Sequence, residues 1–183
     1  MKVLGISGSL RRASINTMAL HAAIQLAPAN MVITPYDLRP IPMYDGDLED
    51  AGMPDAVAAF RAAIAPADAV LMVTPEYNAS VPAVLKNAID WASRPPSQPF
   101  DGKPVAIMGA SPSPLGTVRC QTHLRQILVG MNAMVLNVPQ VLIGSASQRF
   151  DAGGQLTDEA TRKFVAKLLE GLQAWTARLR ASS

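Results

Sequence analysis

Side chains that bind anions are concentrated in one short stretch near the N-terminus. The stretch carries hydroxyl, amide and guanidinium groups in the order Ser7, Ser9, Arg11, Arg12, Ser14, Asn16 and Thr17. These groups donate hydrogen bonds to an anion with several free oxygens, and an arginine adds a planar charged fork. The stretch therefore suits a phosphate monoester. A serine-rich turn that only caps a helix would use the same residue types, and this loop alone does not separate the two interpretations.

The elements on either side of this loop favour an anion site. Lys2-Val3-Leu4-Gly5-Ile6 predicts a short buried strand, and apolar residues then recur at helical spacing as far as Pro28. The first N–H groups of a helix are unpaired and lie at the positive end of its dipole. The loop lacks the Gly-Lys-Ser/Thr ending of a Walker loop. It also lacks the third glycine of a G-x-G-x-x-G dinucleotide motif after Gly5 and Gly8.

A second loop, residues 75–82, has the residue types for a flat heterocycle. Prolines at both ends stiffen it, Tyr77 offers a ring face, and Asn78 offers hydrogen-bond donors. Each of these residues alone is equally consistent with surface packing or a turn. Glu76 is the one carboxylate of the loop. Its carboxylate could take part in the chemistry of a site, but it is equally suited to a structural contact with an arginine or a helix end.

The order of the apolar segments predicts how these loops are positioned. Five strands are expected at 2–6, 31–36, 69–74, 105–109 and 133–143, the last interrupted near Pro139, and they alternate with helices. Such alternation predicts an α/β fold, a three-layer sandwich whose parallel sheet has helices on both faces. With the strand order 2-1-3-4-5, ligands bind beyond the carboxyl ends of the first and third strands.

Three polar loops fall at that end of the sheet. They are the serine loop, residues 75–82, and residues 110–117, which follow the first, third and fourth strands. The long connection 37–53 has no clear periodicity, and its length suggests that it borders a site, with its Met and Tyr side chains near a bound ring.

Composition narrows the classes of protein. The 183 residues carry a net charge of only +2, so a clustered basic face for nucleic acid is not expected. Cys120 is the single cysteine, His21 and His123 lie far apart, and no metal site is predicted. No apolar run reaches the length of a membrane span, and no signal peptide is recognised. We expect one domain over residues 1–183 and a cytoplasmic location.

The loops also lack catalytic groups. They contain no Ser-His-Asp or Cys-His set, no carboxylate pair and no cluster of metal ligands. A site that binds a phosphate and a flat ring without such groups suggests a cofactor that carries the chemistry itself. FMN, a mononucleotide with a tricyclic ring, fits that description.

Two motifs carry a resemblance to a known family. Gly8-Ser9-Leu10-Arg11 with Ser14 and Asn16, followed by Pro75-Glu76-Tyr77-Asn78-x-Ser80-x-Pro82-x-x-Leu85-Lys86-Asn87-Ala88-Ile89-Asp90-Trp91, resembles the NADPH-dependent FMN reductase family. That family includes quinone, chromate and azo-compound reductases of flavodoxin-like fold, and the resemblance covers nearly the whole chain.

The resemblance implies a role for each matching residue. It implies an FMN phosphate cradle formed by Ser9, Arg11, Ser14, Asn16 and Thr17. It places four residues along the isoalloxazine ring, namely Pro75, Glu76, Tyr77 and Asn78. Ser111 and Gly116 match the third loop, which in many relatives has a Gly-Gly pair. This chain has Leu115-Gly116-Thr117 and additional prolines at 112 and 114, so we expect a different pocket shape on that side.

The same resemblance implies function and assembly. NADPH or NADH would reduce FMN, and a small acceptor such as a quinone, free flavin or chromate would then take the electrons, in a homodimer or homotetramer. A flavodoxin-type electron-transfer module without NAD(P)H activity is the alternative, although the sequence pI of 8.9 and the loop arginines are unlike the acidic flavodoxins. A flavin-free NAD(P) dehydrogenase is disfavoured by the missing glycine and by Asp37, which comes too late in the sequence. The sequence leaves the acceptor and the choice between NADH and NADPH open.

Overall fold

A computed structural model of the protein describes residues 1–181. Its strands are β1 (Lys2–Ser7), β2 (Val32–Tyr36), β3 (Ala69–Val73), β4 (Pro104–Ala110), β5 (Met134–Val135) and β6 (Val141–Ile143). Its helices are α1 (Ile15–Gln25), α2 (Gly46–Asp50), α3 (Asp55–Ile64), α4 (Ala83–Ala92), α5 (Val118–Gly130) and α6 (Glu159–Arg180), with a short 3-10 helix at Ala146–Gln148.

The sheet has the predicted strand order. Its strands run β2-β1-β3-β4-β5, all pairings are parallel, and β6 also pairs with β4. Every residue of β3 and β4 is buried, because helices cover both faces of the central strands. This topology confirms the flavodoxin-like α/β prediction.

The fifth strand is split, as its sequence predicted. Met134 pairs with Pro104 at the start of β4, whereas Ile143 pairs with Ala110 at its end. Pro139 lies between the two short strands and has no N–H to donate to a ladder. Both pieces therefore continue the sheet beside β4, with an unpaired segment between them.

Alternate side chains of the central strands enter two separate apolar cores. Leu71 and Val73 pack with α1 and α6, whereas Val70 and Met72 pack on the other face with α3, α4 and α5. The second core contains the largest fully buried side chain, Trp91. The two cores pack against opposite faces of the sheet, and the loops lie at the edge formed by the carboxyl ends of its strands.

Two details of the connection after β2 differ from the sequence prediction. The segment 37–53 contains the short helix α2, which Asp45 caps by accepting a hydrogen bond from the Asp47 N–H at 3.0 Å. This helix has no buried residue, so it leaves no apolar periodicity to detect. Proline is favoured in the first turn of a helix, which predicts that place for Pro54, but Pro54 occupies the N-cap of α3. Within residues 1–181 no helix is long and apolar enough to span a membrane, and no group of three metal-ligating side chains occurs.

Candidate functional site

The loops that follow β1, β3 and β4 meet around a cleft of about 120 Å³, here named the β1–β3 cleft. Of the eleven predicted site residues, eight line this cleft: Ser9, Arg11, Ser14, Asn16, Pro75, Glu76, Tyr77 and Ser111. Thr17, Asn78 and Gly116 do not. The topology therefore assembles most of the predicted site from segments that are about seventy and a hundred residues apart in sequence.

Ser14 begins the helix at the floor of the cleft. It is the N-cap of α1, and its buried hydroxyl accepts a hydrogen bond from the Thr17 N–H at 3.2 Å. Ile15 and Asn16 occupy the first turn, where backbone N–H groups have no intrahelical acceptor, and both residues line the cleft. The Thr17 hydroxyl instead contacts the Ser7 hydroxyl at 3.1 Å, and Thr17 lines a neighbouring cleft.

Arg11 supplies a charged group that nothing in the described chain neutralises. Its guanidinium is exposed and has no ion pair or hydrogen bond with any other part of residues 1–181. Its backbone N–H donates to the Ser9 hydroxyl at 3.4 Å, a long contact within the same loop. An unpaired guanidinium beside hydroxyls and a helix N-terminus fits a phosphate monoester.

Asn16 ties two walls of the cleft together. Its Nδ2 donates to the Ala110 carbonyl at 2.9 Å, and its Oδ1 accepts from the Ala110 N–H at 2.8 Å. The side chain is only 4% exposed. Because its oxygen and one of its two N–H groups bond Ala110, this side chain positions α1 against the end of β4, and its backbone N–H and second amide N–H remain as donors.

Glu76 anchors the second loop to α5. Its Oε2 accepts from the N–H groups of Arg119 and Cys120, each at 3.0 Å, and its Oε1 pairs with the Arg119 guanidinium at 2.6 Å. Thr117 is the N-cap residue of α5, but its side chain makes no capping hydrogen bond. The Glu76 carboxylate caps the helix in its place. The structure thus unites the two pairings that the sequence suggested for Glu76, an arginine and a helix end.

The electrostatics of Glu76 follow from these contacts. Burial alone would raise its pKa, but the hydrogen bonds from Cys120 and Arg119 outweigh that effect and lower the pKa below its usual value. The carboxylate is therefore ionised and fully engaged, so it does not serve as an acid or base. Cys120 behaves oppositely: burial raises the pKa of its thiol to about 11, so the buried side chain is a protonated packing residue.

Tyr77 stands at the corner of a tight turn. Tyr77 and Ser80 exchange two backbone hydrogen bonds of 3.0 and 3.1 Å, and the central residues Asn78 and Ala79 have φ values of 49° and 62°. This is a type I′ geometry, which asparagine tolerates and alanine does not favour. The Ser80 hydroxyl contacts His123 Nδ1 on α5 at 3.1 Å. The turn is thereby fixed to α5 while half of the Tyr77 side chain stays exposed.

Close backbone approaches shape the third loop. A Cβ on Gly109 would lie 2.2 Å from the Thr74 carbonyl, and Gly116 has a φ of 63°. Gly116 therefore sets the path of the loop without lining the cleft. The Ser111 hydroxyl accepts from the Ser113 N–H at 3.1 Å, and the Ser111 N–H donates to the Ile143 carbonyl at 3.0 Å.

The 37–53 connection is fastened away from this cleft. Asn87 and Trp91 both donate to the Pro42 carbonyl, at 2.7 and 2.9 Å, and Tyr44 packs its ring edge-on against Trp91. The residues that line the β1–β3 cleft come only from α1 and the three strand-end loops. No side chain of this connection lines the β1–β3 cleft, and the expectation that its Met and Tyr side chains lie near a bound ring stays a prediction.

Sequence reasoning missed several residues that organise the site. Ile15, Ala110 and Pro112 also line the cleft, and His123 holds the turn from the neighbouring helix. Ile15 could have been found from its place in the first helical turn. Ala110 and His123 act through contacts between segments far apart in sequence, so no local pattern marks them.

Comparison with known proteins decides the family. The family model for NADPH-dependent FMN reductase matches residues 1–148. The chain belongs to the NADPH-dependent FMN reductase family. This membership confirms the family predicted from the two motifs, and with it FMN and a nicotinamide nucleotide donor as the cofactors.

Individual members of this family resemble the chain along most of its length. An NAD(P)H-dependent FMN reductase of Pseudomonas aeruginosa is 54% identical over 180 residues, which cover 98% of this chain and 97% of the relative. A quinone reductase of Escherichia coli is 44% identical over 88% of this chain and 87% of the relative. The solved structure of FerB, a flavoenzyme NAD(P)H:(acceptor) oxidoreductase of Paracoccus denitrificans, superposes with a TM-score of 0.89 at 34% identity, over 97% of each chain.

Proposed function

We propose that this member of the family transfers electrons from NADPH or NADH through FMN to small acceptors, in two separate half-reactions. The acceptors we propose are quinones and free flavin, with chromate as a non-physiological one. The observation that carries this proposal is the β1–β3 cleft, which joins an unpaired Arg11 to the exposed ring of Tyr77 without an acid–base pair. Such a site binds and orients, and when FMN is bound the flavin ring supplies the hydride chemistry.

The phosphate end of the cofactor is assigned to the loop between β1 and α1. Arg11 would pair with the phosphate, while the Ser9 hydroxyl and the first N–H groups of α1 would complete its hydrogen bonds. Ser14 is engaged with the Thr17 N–H, but its hydroxyl hydrogen remains available to a phosphate oxygen. We retain Thr17 in the cradle as a proposal through its hydroxyl, because its N–H already donates to Ser14. When the Ser7 hydroxyl donates to Thr17, the Thr17 hydroxyl hydrogen is available to a phosphate oxygen.

The ring end is assigned to the second and third loops. Pro75 and Tyr77 form one wall, and Ser111 with Pro112 forms part of the other. Because Glu76 and Ser80 lock the 75–80 turn to α5, this wall is set before a ligand arrives. Backbone N–H groups at the cleft would stabilise the negative charge that the ring gains on reduction. We retain Asn78 and Gly116 as residues that shape these walls.

The proposal extends to the state of the protein in the cell. We propose that residues 1–183 form one domain, that the protein acts in the cytoplasm, and that it assembles as a homodimer or homotetramer. Exposed apolar side chains support the assembly, notably Met43, Val138 and Phe164, which are more than half exposed in a single chain. Light scattering on the purified protein tests this assembly, and a monomer at micromolar concentration would refute it.

Anaerobic mixing tests the proposed reaction. The FMN-loaded protein is mixed with NADPH or NADH, the loss of the visible absorbance of the oxidised flavin is followed, and a quinone is then added. We expect the absorbance to fall with the nucleotide and to return with the quinone. Retention of the flavin absorbance with both nucleotides would favour the electron-transfer module instead.

A further inference from the structure

A second cleft lies beside the first, between the ends of β1 and β2, and is named here the β1–β2 cleft. Its volume is about 280 Å³, near the lower end of the range for small-molecule sites. Ser9 and Arg11 line both clefts, so the two lie on either side of the same loop. A ligand in this second cleft would therefore be a close neighbour of one in the β1–β3 cleft.

The sheet register places the end of β2 in this cleft. Ile6 of β1 pairs with Tyr36 of β2, so the segments that follow the two strands leave the sheet together. Asp37 and Arg39 line the cleft from the β2 side. In dinucleotide-binding folds with the G-x-G-x-x-G motif, an acid near this position binds a ribose hydroxyl and a nearby arginine accommodates a ribose 2′-phosphate. This chain lacks that motif, but a guanidinium pairs with a phosphate in the same way wherever a cleft presents it.

Here the acid is already neutralised. The Asp37 carboxylate pairs with the Arg39 guanidinium at 3.1 Å, which also donates to the Leu10 carbonyl at 2.8 Å. Arg39 is thereby held between β2 and the serine loop. Its pairing with Asp37 offsets part of the repulsion that this exposed carboxylate would exert on an anion entering the cleft, and solvent screens much of the rest.

Arg12 gives the cleft its excess positive charge. This guanidinium is exposed, lines the cleft, and has no ion pair or hydrogen bond with any group in the described part of the chain. His21 on α1 lines the same cleft, and Pro35 and Tyr36 add an apolar wall. A free arginine opposite an immobilised one, beside an apolar wall, suits a phosphate monoester carried on a nucleoside.

We propose that the β1–β2 cleft binds the 2′-phosphate of NADPH, and that Arg12 makes this chain prefer NADPH to NADH. The inference rests on the proposed function, because the donor must reach a flavin held in the adjacent β1–β3 cleft. Arg12 acts as a specificity residue that recognises the one phosphate by which the two nucleotides differ.

Steady-state kinetics with both nucleotides test this role. Wild-type protein is expected to show a higher kcat/KM for NADPH. Arg12→Ala should lower kcat/KM for NADPH by about 10- to 100-fold through KM, the size of a lost charged hydrogen bond, and leave that for NADH unchanged. Arg12→Lys should restore part of the loss. Lys163→Ala, which removes one exposed charge on α6, is the matched control and should change neither value.

Binding to the FMN-loaded protein provides a readout without turnover. Calorimetry with adenosine 2′,5′-bisphosphate, adenosine 5′-monophosphate and inorganic phosphate separates a nucleotide site from a site for any free anion. We expect the bisphosphate to bind at least about tenfold more tightly than the other two, and Arg12→Ala to remove that advantage. This result would support 2′-phosphate binding at the β1–β2 cleft even if the protein oxidised neither nucleotide. A failure to oxidise either nucleotide would refute the proposed function but not this binding site.

Three results would overturn the inference. One is equal kcat/KM for NADPH and NADH in the wild-type protein, and another is an equal loss for both in Arg12→Ala. The third is inorganic phosphate or adenosine 5′-monophosphate that binds as tightly as the bisphosphate, because the cleft would then not recognise the 2′-phosphate.

Discussion

The loop after β1 and the loop after β3 border the same cleft, but they use their polar groups in opposite ways. The first loop leaves the guanidinium groups of Arg11 and Arg12 without partners in the described chain. The second loop commits its polar groups: Glu76 to the start of α5, and Ser80 to Tyr77 and His123. The first loop can therefore bind by charge, whereas the second, whose carboxylate is engaged, is a fixed turn that offers only neutral groups such as the Tyr77 ring and the Asn78 amide. Replacing residues in the two loops should separate ligand affinity from folding stability.

The largest effect is expected where the start of α1 is joined to the end of β4. Asn16→Ala removes two buried hydrogen bonds and leaves the N–H and carbonyl groups of Ala110 without partners. We expect the free energy of unfolding of the FMN-free protein to fall by about 2–4 kcal/mol, measured by urea denaturation. Asn30→Ala, at an exposed asparagine whose side chain makes no described hydrogen bond, is the control. A change below about 0.5 kcal/mol in Asn16→Ala would show that the bridge is dispensable.

The anchor of the second loop should come next. Glu76→Gln keeps the shape of the side chain but removes the charge that accepts three hydrogen bonds from Arg119 and Cys120. We expect a loss of about 1–2 kcal/mol in the free energy of unfolding at pH 7, with the exposed Arg119 partly screened by solvent.

The pH dependence of this loss has a definite sign. The folded-state pKa of Glu76 lies below its usual value of 4.5, so its stabilising effect is complete above that pH and disappears as the pH falls through the folded pKa. The stability difference between wild type and Glu76→Gln should therefore shrink on acidification. The two proteins are compared from about pH 7 to about pH 3, a range that includes the titration of carboxylates. A constant difference in unfolding free energy over this range would contradict the negative charge assigned to Glu76.

Tyr77 should affect binding more than folding. Half of its side chain is exposed, and its backbone forms the turn whatever its side chain. Tyr77→Ala should weaken FMN binding by about 0.5–1.5 kcal/mol, the value of a lost aromatic contact, and leave the urea midpoint of the FMN-free protein unchanged. Tyr77→Phe, which keeps the ring face, should bind FMN as the wild type does. An unchanged FMN affinity in Tyr77→Ala would remove this residue from the ring wall.

The smallest expected effect is a gain in stability. Ala79 has a φ of 62°, a backbone conformation that costs an L-residue about 1 kcal/mol and costs glycine little. Ala79→Gly should therefore raise the free energy of unfolding by about 0.5–1 kcal/mol. Ala83→Gly, at the first residue of α4, provides a contrast because it should lower stability. A loss of stability in Ala79→Gly would indicate that the turn is not strained.

The contrast between the loops also explains what the sequence could predict. The continuous apolar run of β3 identifies a central strand, and the parallel topology then brings three polar loops to one edge. The side chains of Ser9, Arg11 and Tyr77 reach the cleft because they follow strand ends directly. These predictions need only the local pattern and the strand order.

Contacts between side chains and segments that are distant in sequence could not be predicted from local sequence patterns. The partner of Asn16 is Ala110, ninety-four residues away. Residue type and the family resemblance predict its amide as a phosphate donor, and neither reveals a partner so distant in sequence. Glu76 is the exception, since an arginine and a helix end were both among the partners that its carboxylate suggested, and the structure supplies both. The helix α2 was missed because none of its residues is buried.

The most direct test of the account is a titration of the FMN-free protein with FMN and with riboflavin, followed by flavin fluorescence. We expect FMN to bind at about micromolar affinity or better, and riboflavin much more weakly, because the phosphate meets Arg11. Arg11→Ala should weaken FMN by about 10- to 100-fold, leave riboflavin unchanged, and keep the wild-type urea midpoint. Equal affinities for FMN and riboflavin in the wild-type protein would contradict the phosphate cradle.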